Sequence, residues 1–229
     1  MSNTTGPKTT GPKAVVFDLD GTLVDSAPDI ARALNMTFEP MGAAPFATAH
    51  VHSLIGDGAV AAIKRGIVAS GLDLSETEER DALRRFYIAY TEVSEDGRGL
   101  YPGAHELLGS LQAQGIPLAI CTNKAEPVAH VALRALGIAH YFRSIIGASE
   151  KLAKKPDAAM VLAALTPYAV APQHAVMVGD SPADFGAGRA AGAKVAMVDF
   201  GYSRIPVREL GADVVVSSLA ELERVLRTM

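Results

Sequence analysis

Two carboxylates one residue apart, Asp18 and Asp20, close the apolar run Ala14-Val15-Val16-Phe17 and are followed at once by Gly21 and Thr22. Residues i and i+2 of a strand share a face, so the two charges crowd each other at its carboxyl end. Crowded carboxylates need compensation, from a bound cation or a shared proton. Three further apolar runs lead into polar clusters. One ends in Cys121-Thr122-Asn123-Lys124, the next leads into Lys154-Lys155-Pro156-Asp157, and the last gives Gly179-Asp180-Ser181-Pro182-Ala183-Asp184.

Together the clusters make one chemistry. Several carboxylates suit a hard cation such as Mg2+, which prefers oxygen, keeps waters, and takes one or two protein carboxylates together with a substrate phosphate. A lysine and a threonine hydroxyl then face the remaining phosphate oxygens. A carboxylate nucleophile attacks a phosphate only when both charges are offset, which cation and lysine accomplish. A second carboxylate two residues on can protonate the leaving alkoxide and later deprotonate water. Other chemical groups read as structural. Cys121 lies in an apolar strand without the arginine that a cysteine phosphatase loop needs. His50 and His52 have no ligand partner in register, and Gly186, Gly188 and Gly192 have the wrong spacing for a dinucleotide fingerprint.

The elements that must position these residues alternate. Strands are expected at 117–122, 144–147, 174–180, 194–200 and 213–216, and amphipathic helices at 103–114, 127–136, 156–165, 182–191 and 218–227. Several of these helices are opened by Pro and closed by Gly. Such alternation predicts a doubly wound, Rossmann-like parallel α/β sheet, with ligands beyond the strands' carboxyl ends. Residues 26–93 break the rhythm with helical patterns near 28–39, 58–69 and 75–93, the last opened by the capping box Ser75-Glu76-Thr77-Glu78. The expected organisation is a core of 14–24 and 97–229, a small helical lid of 25–96 inserted after the first strand, and a disordered tail, 1–13, carrying TTGPK twice.

A chain of 229 residues, 49% of them hydrophobic, can bury such a core. Its net charge of −4 argues against nucleic acid or an anionic membrane as partner, so an anionic substrate must be attracted locally. No apolar run reaches membrane-spanning length. The single Cys121 and the lack of a secretory h-region give a cytoplasmic expectation, as monomer or homodimer.

In order and spacing, DLDGTLVDS, the CTNK strand end, Lys155-Pro156 and GDSPAD resemble the four motifs of the haloacid dehalogenase-like phosphatases, and the helical insert resembles the small helical cap of that superfamily. The resemblance implies Asp18 as the nucleophile that forms an aspartyl-phosphate. It implies Asp20 as general acid and base, ligating Mg2+ through its backbone carbonyl. Thr122 would bind phosphate, Lys155 would stabilise charge, and Asp180 would join Asp18 and Asp20 as metal ligand, with Asp184 in support. Gly21, Thr22, Asn123, Lys124 and the cap's Arg65 are the expected substrate contacts.

Within that superfamily, Ile55-Gly56-Asp57-Gly58, Thr122-Asn123-Lys124 and Phe200-Gly201-Tyr202 resemble the phosphoglycolate phosphatases, although Asp57 stands where those more often carry asparagine. The implied reaction is Mg2+-dependent hydrolysis of a small anionic phosphate ester, 2-phosphoglycolate first. The alternatives are a sugar-phosphate or pyrophosphate phosphatase, a phosphomutase, or a phosphate-binding module without turnover. Asp20 argues against the module and against a dehalogenase, and Lys64 is the only lysine between 25 and 95 for the Schiff base of a phosphonate hydrolase.

Overall fold

The computed structural model describes residues 11–55 and 58–229. Most of the expected tail, and Gly56-Asp57, lie outside the described residues. Six strands form one parallel sheet: β1 (Ala14–Phe17), β2 (Leu118–Ala125), β3 (Ser144–Ala148), β4 (Ala175–Gly179), β5 (Lys194–Val198) and β6 (Val214–Val216). Their order is β3-β2-β1-β4-β5-β6, so the winding reverses between β1 and β4. A crevice opens at such a reversal, beyond the carboxyl ends, because successive connections leave on opposite faces.

Between β1 and β2 lie α1 (Ala27–Phe38), α2 (Thr48–Val51), α3 (Ala59–Ser70), α4 (Glu76–Ser94) and α5 (Ala104–Ala113). Helices α6 (Glu126–Ala135), α7 (Ala159–Leu165), α8 (Pro182–Ala191) and α9 (Leu219–Leu226) follow β2, β3, β4 and β6. Strand alternation divides the core between two faces. Val15 and Phe17 of β1 pack with Leu107, Leu111, Leu133 and Leu222 on one side. Ala14 and Val16 pack with Met160, Val161 and Ala187 on the other. Helix α7 starts at residue 159 rather than 156, because the Asp157 carboxylate accepts the Ala159 N–H at 2.8 Å and holds a turn there.

Helices α1 to α4 make a separate layer around Leu34, Phe38, Phe46, Ile63 and Phe86. The short α2 is an addition to the expected helices. Ser75 caps α4 in a reciprocal capping box with Glu78. Val128 of α6 and Tyr202 after β5 enter this layer's apolar cluster, which ties it to the sheet. The two connecting segments run side by side, with Asp25 N–H donating to Gly99 O at 2.6 Å and Tyr101 N–H to Leu23 O at 3.0 Å. No described helix is long and apolar enough to cross a membrane.

Candidate active site

Asp18 follows the last residue of β1, at the winding reversal, and its N–H donates to Val178 O of β4 at 2.9 Å. The chain then turns tightly, with Leu23 N–H and Val24 N–H both donating to Leu19 O at 3.0 Å. Gly21 has φ +84°, and a Cβ on it would stand 2.5 Å from Asp180 Oδ2. Only glycine meets both requirements. Beside it, the Thr22 hydroxyl donates to Asp180 Oδ1 at 3.2 Å.

Asp180 follows β4 and is 2% exposed. Its second oxygen accepts the Tyr202 N–H at 2.7 Å. Close approach of that backbone depends on Gly201, where a Cβ would sit 2.3 Å from the Asp180 Cβ. Ser181 caps α8, and Asp184 at N3 completes the capping box. Asp184 Oδ2 accepts from Ser181 N–H at 3.0 Å and Ser181 Oγ at 2.6 Å, while Oδ1 accepts from Lys155 Nζ at 2.6 Å. Both oxygens of Asp184 are thus committed inside the protein.

Lys155 is buried beneath Asp18. Its ammonium donates to Cys121 O at 2.8 Å and lies 2.9 Å from Asp18 Oδ1. The Asn123 side chain holds the Lys155 backbone in a two-way clasp, accepting its N–H and donating to its carbonyl, each at 3.1 Å. Residues 122–124 lie where the β2–β3 register is interrupted, between the pairs Cys121↔Ile146 and Ala125↔Ala148. Such an irregularity re-aims side chains, so Thr122, Asn123 and Lys124 all reach the same cavity.

Burial dominates the electrostatics. It raises the Asp18 carboxyl to about 7, helped by the charge of Asp184 and opposed by Lys155. Burial and the Asp184 and Asp18 charges also hold Asp180 well above the usual carboxylate range. Lys155 would be pulled down by burial, but the Asp18 and Asp184 charges outweigh that and push it up, so it stays cationic. Burial pushes the Cys121 thiol up to about 12, the opposite of an activated nucleophile.

Oxygens of Asp18, Asp180 and Asp184 approach within 4.8 Å of one another. Asp18 Oδ1 is buried and meets the Lys155 ammonium at 2.9 Å, with lone-pair capacity left over. A buried anion with an open lone pair beside a second carboxylate fits a hard divalent cation. Asp184 Oδ2 takes three donors and Oδ1 the Lys155 ammonium, whereas each Asp180 oxygen accepts one, so Asp18 and Asp180 keep the greater free capacity.

The Asp20 carboxylate turns away from this cluster, and Lys124 Nζ donates to its two oxygens at 2.9 and 3.3 Å. A cavity of about 710 Å³, solvent-open space included, connects the groups: Asp18, Asp20, Thr122, Asn123, Lys124 and Asp180 from the sheet side face Ile30, Ile55, Phe86, Tyr87 and Tyr90 from the helical layer. Arg65 is outside that lining, and its guanidinium donates to Leu54 O at 3.1 Å. Asp57 lies outside the described residues.

Two site residues escaped sequence reasoning. Tyr90 lies over Lys124, 3.9 Å from ring centroid to ammonium, but four residues after Phe86 it reads as an ordinary core stripe. Tyr202 was visible only within Phe200-Gly201-Tyr202. Its hydroxyl donates to Asp25 Oδ1 at 2.6 Å and accepts the Ala27 N–H at 3.0 Å, contacts that no local pattern announces.

Residues 15–198 match the family model for haloacid dehalogenase-like hydrolases. A phosphoglycolate phosphatase from Rhodospirillum rubrum is 42% identical over 215 residues, 92% of this chain and 89% of the relative. A predicted phosphoglycolate phosphatase from Haemophilus somnus, solved by crystallography, superposes with TM-score 0.86 at 30% identity, covering 95% of this chain and 99% of its own. A CbbY variant from Rhodobacter sphaeroides in complex with xylulose-(1,5)bisphosphate gives TM-score 0.78 at 27% identity, covering 92% and 96%.

Proposed function

The chain belongs to the haloacid dehalogenase-like hydrolases and is a phosphoric monoester hydrolase; from that premise we propose that it hydrolyses 2-phosphoglycolate to glycolate and phosphate, with Asp18 as nucleophile and Mg2+ as cofactor. The observation that carries the reading is the buried Asp18, paired with Lys155 at 2.9 Å, facing Asp180, and followed two residues later by a second carboxylate. The 42% identity to the Rhodospirillum rubrum enzyme supports the choice of ester.

An Asp18 oxygen attacks phosphorus as the ester P–O bond breaks, and Asp20 gives its proton to the departing glycolate oxygen. Asp20, now a carboxylate, then takes a proton from a water that attacks the aspartyl-phosphate, releasing phosphate and restoring Asp18. Lys155 and Thr122 face the phosphoryl oxygens and favour the charge that spreads over them in the transition state. Mg2+, held by Asp18, Asp180 and the backbone carbonyl of Asp20, would offset charge on nucleophile and phosphate. Asp184 keeps Lys155 charged and aimed. Residues 25–96 act as a cap that covers this chemistry, over a core of 14–24 and 97–229.

Phosphate release from a panel of small esters, with Mg2+ or EDTA, tests the reading in wild type and Asp18→Asn. We expect Mg2+-dependent turnover, greatest on 2-phosphoglycolate and abolished in the variant. Full activity of the variant would eliminate Asp18 as nucleophile. The xylulose-(1,5)bisphosphate complex of the Rhodobacter sphaeroides protein favours a sugar phosphate as second reading, and a sugar ester leading the panel would install it.

A further inference from the structure

Beyond the phosphate, the cavity has an uneven wall. The helical layer lines it with Ile30, Ile55, Ala59, Ala62 and Phe86, and among the described lining residues Lys124 is the one cation. Two arginines near the cap interface reach backbone there, Arg65 donating to Leu54 O and Arg204 to Ile55 O at 2.6 Å. Lys154 reaches only the rim, its Nζ 4.0 Å from where a Gly58 Cβ would stand.

Lys124 is a built anion site. Its side chain is 3% exposed, and an ammonium has three donors and no acceptor. Those donors meet the two oxygens of Asp20 and the Tyr90 hydroxyl, and the Tyr90 ring lies against the ammonium. The anion in the site is therefore Asp20, the residue assigned to general acid and base work. While Lys124 holds both its oxygens, Asp20 is anchored on the Lys124 side of the cavity that it shares with Asp18.

We propose that Lys124 recognises a second anionic group on the substrate, a carboxylate, and that this carboxylate displaces Asp20 and frees it to turn toward the leaving oxygen. The inference rests on the phosphatase reading above and adds to it why a carboxylated ester is preferred. One carboxylate replaces another on the same ammonium, so Lys124 stays paired throughout, and the released Asp20, whose side chain is partly exposed, takes from solvent the proton that it passes to the leaving oxygen. An ester without a second anion leaves the Asp20–Lys124 pair intact, because a ligand shifts an equilibrium only by its differential affinity for the two states. Selection is then expressed in the chemical step as well as in binding.

The test compares 2-phosphoglycolate with ethyl phosphate, which replaces the carboxylate by methyl, under Mg2+. In wild type we expect kcat on 2-phosphoglycolate to exceed that on ethyl phosphate by about 10-fold or more, in addition to a lower KM. In Lys124→Met, kcat/KM on 2-phosphoglycolate should fall about 100-fold while kcat on ethyl phosphate rises, since Asp20 is no longer held. Lys124→Arg should keep part of the preference. Equal kcat on the two esters in wild type overturns the proposal without any variant, even if Lys124→Met fails to fold. So does an equal loss on both esters in Lys124→Met, or a loss of preference that follows Lys154→Met instead. Each of those outcomes leaves the phosphatase reading standing, whereas a wild type that turns over neither ester sinks both.

Discussion

As the nucleophile proposed above, Asp18 would have to be an anion to attack phosphorus, yet it is buried, and its carboxyl is raised from an ordinary 3.8 to about 7 by that burial and by Asp184. A carboxyl with a raised native pKa binds its proton more tightly folded than unfolded. Its contribution to stability is therefore full below about 3.8 and is lost as pH climbs toward 7, a change on the order of 4 kcal/mol. We expect the metal-free protein to lose thermal stability between pH 4 and 7, and Mg2+ to restore it most at the upper end, where the cation meets an ionised Asp18. Thermal melts across that range with EDTA and with Mg2+ read this directly. A metal-free protein that gains stability toward neutral pH would contradict the assignment. Lys155 sharpens the same point: replacing it by Met leaves Asp18 and Asp184 facing each other without a cation, and turnover should fall at least 1,000-fold, as when preorganised charge stabilisation is removed.

Elements bring these residues into close contact. The turn after β1 brings Gly21 against Asp180, so Gly21→Ala requires both a strained φ and a shift of Asp180. We expect it to cost about 1–3 kcal/mol of stability. Turnover should drop about 100-fold, because displacing Asp180, the carboxylate proposed to hold Mg2+, by even an ångström would misalign the reacting groups. The loop after β5 also closes on Asp180. Tyr202 reaches Asp180 through its backbone N–H but reaches Asp25 and α1 through its hydroxyl. Tyr202→Phe removes only the second set. Stability measured by denaturant should fall by about 1–2 kcal/mol while Mg2+ affinity by calorimetry stays within about twofold. A large loss of Mg2+ affinity would mean that the hydroxyl, not the N–H, positions Asp180.

At the scale of the molecule, the helical layer and the sheet share apolar contacts through Val128 and Tyr202, and the two connecting segments are hydrogen-bonded to each other. Two layers held by a common cluster and a paired double connection should unfold together. Calorimetry is expected to give one transition, with calorimetric and van't Hoff enthalpies in agreement. Val128→Asp puts an unpaired charge into that shared cluster, and the expected result is an earlier, separate unfolding of the helical layer. Two resolved transitions in wild type would show that the shared contacts are too weak to couple the layers.

The sequence by itself determined the parallel α/β class, the helical insertion and the identity of the chemical groups. Asp18 and Asp180 stand just after strands whose period and flanking caps are local properties of the chain, as in the Ser181–Asp184 box, and Lys155 lies in the connection between β3 and α7. What only the tertiary structure decided are contacts between residues far apart in the chain. The Asn123 clasp on Lys155, the Gly201 approach to Asp180, the Tyr202 link to Asp25 and the capture of Asp20 by Lys124 each join segments set by sheet order. The interrupted β2–β3 register is of the same kind, since it depends on which strand lies alongside. Residue type and periodicity fix what a segment can do. Which distant charge it meets, and at what distance, follows from the packing of the whole chain.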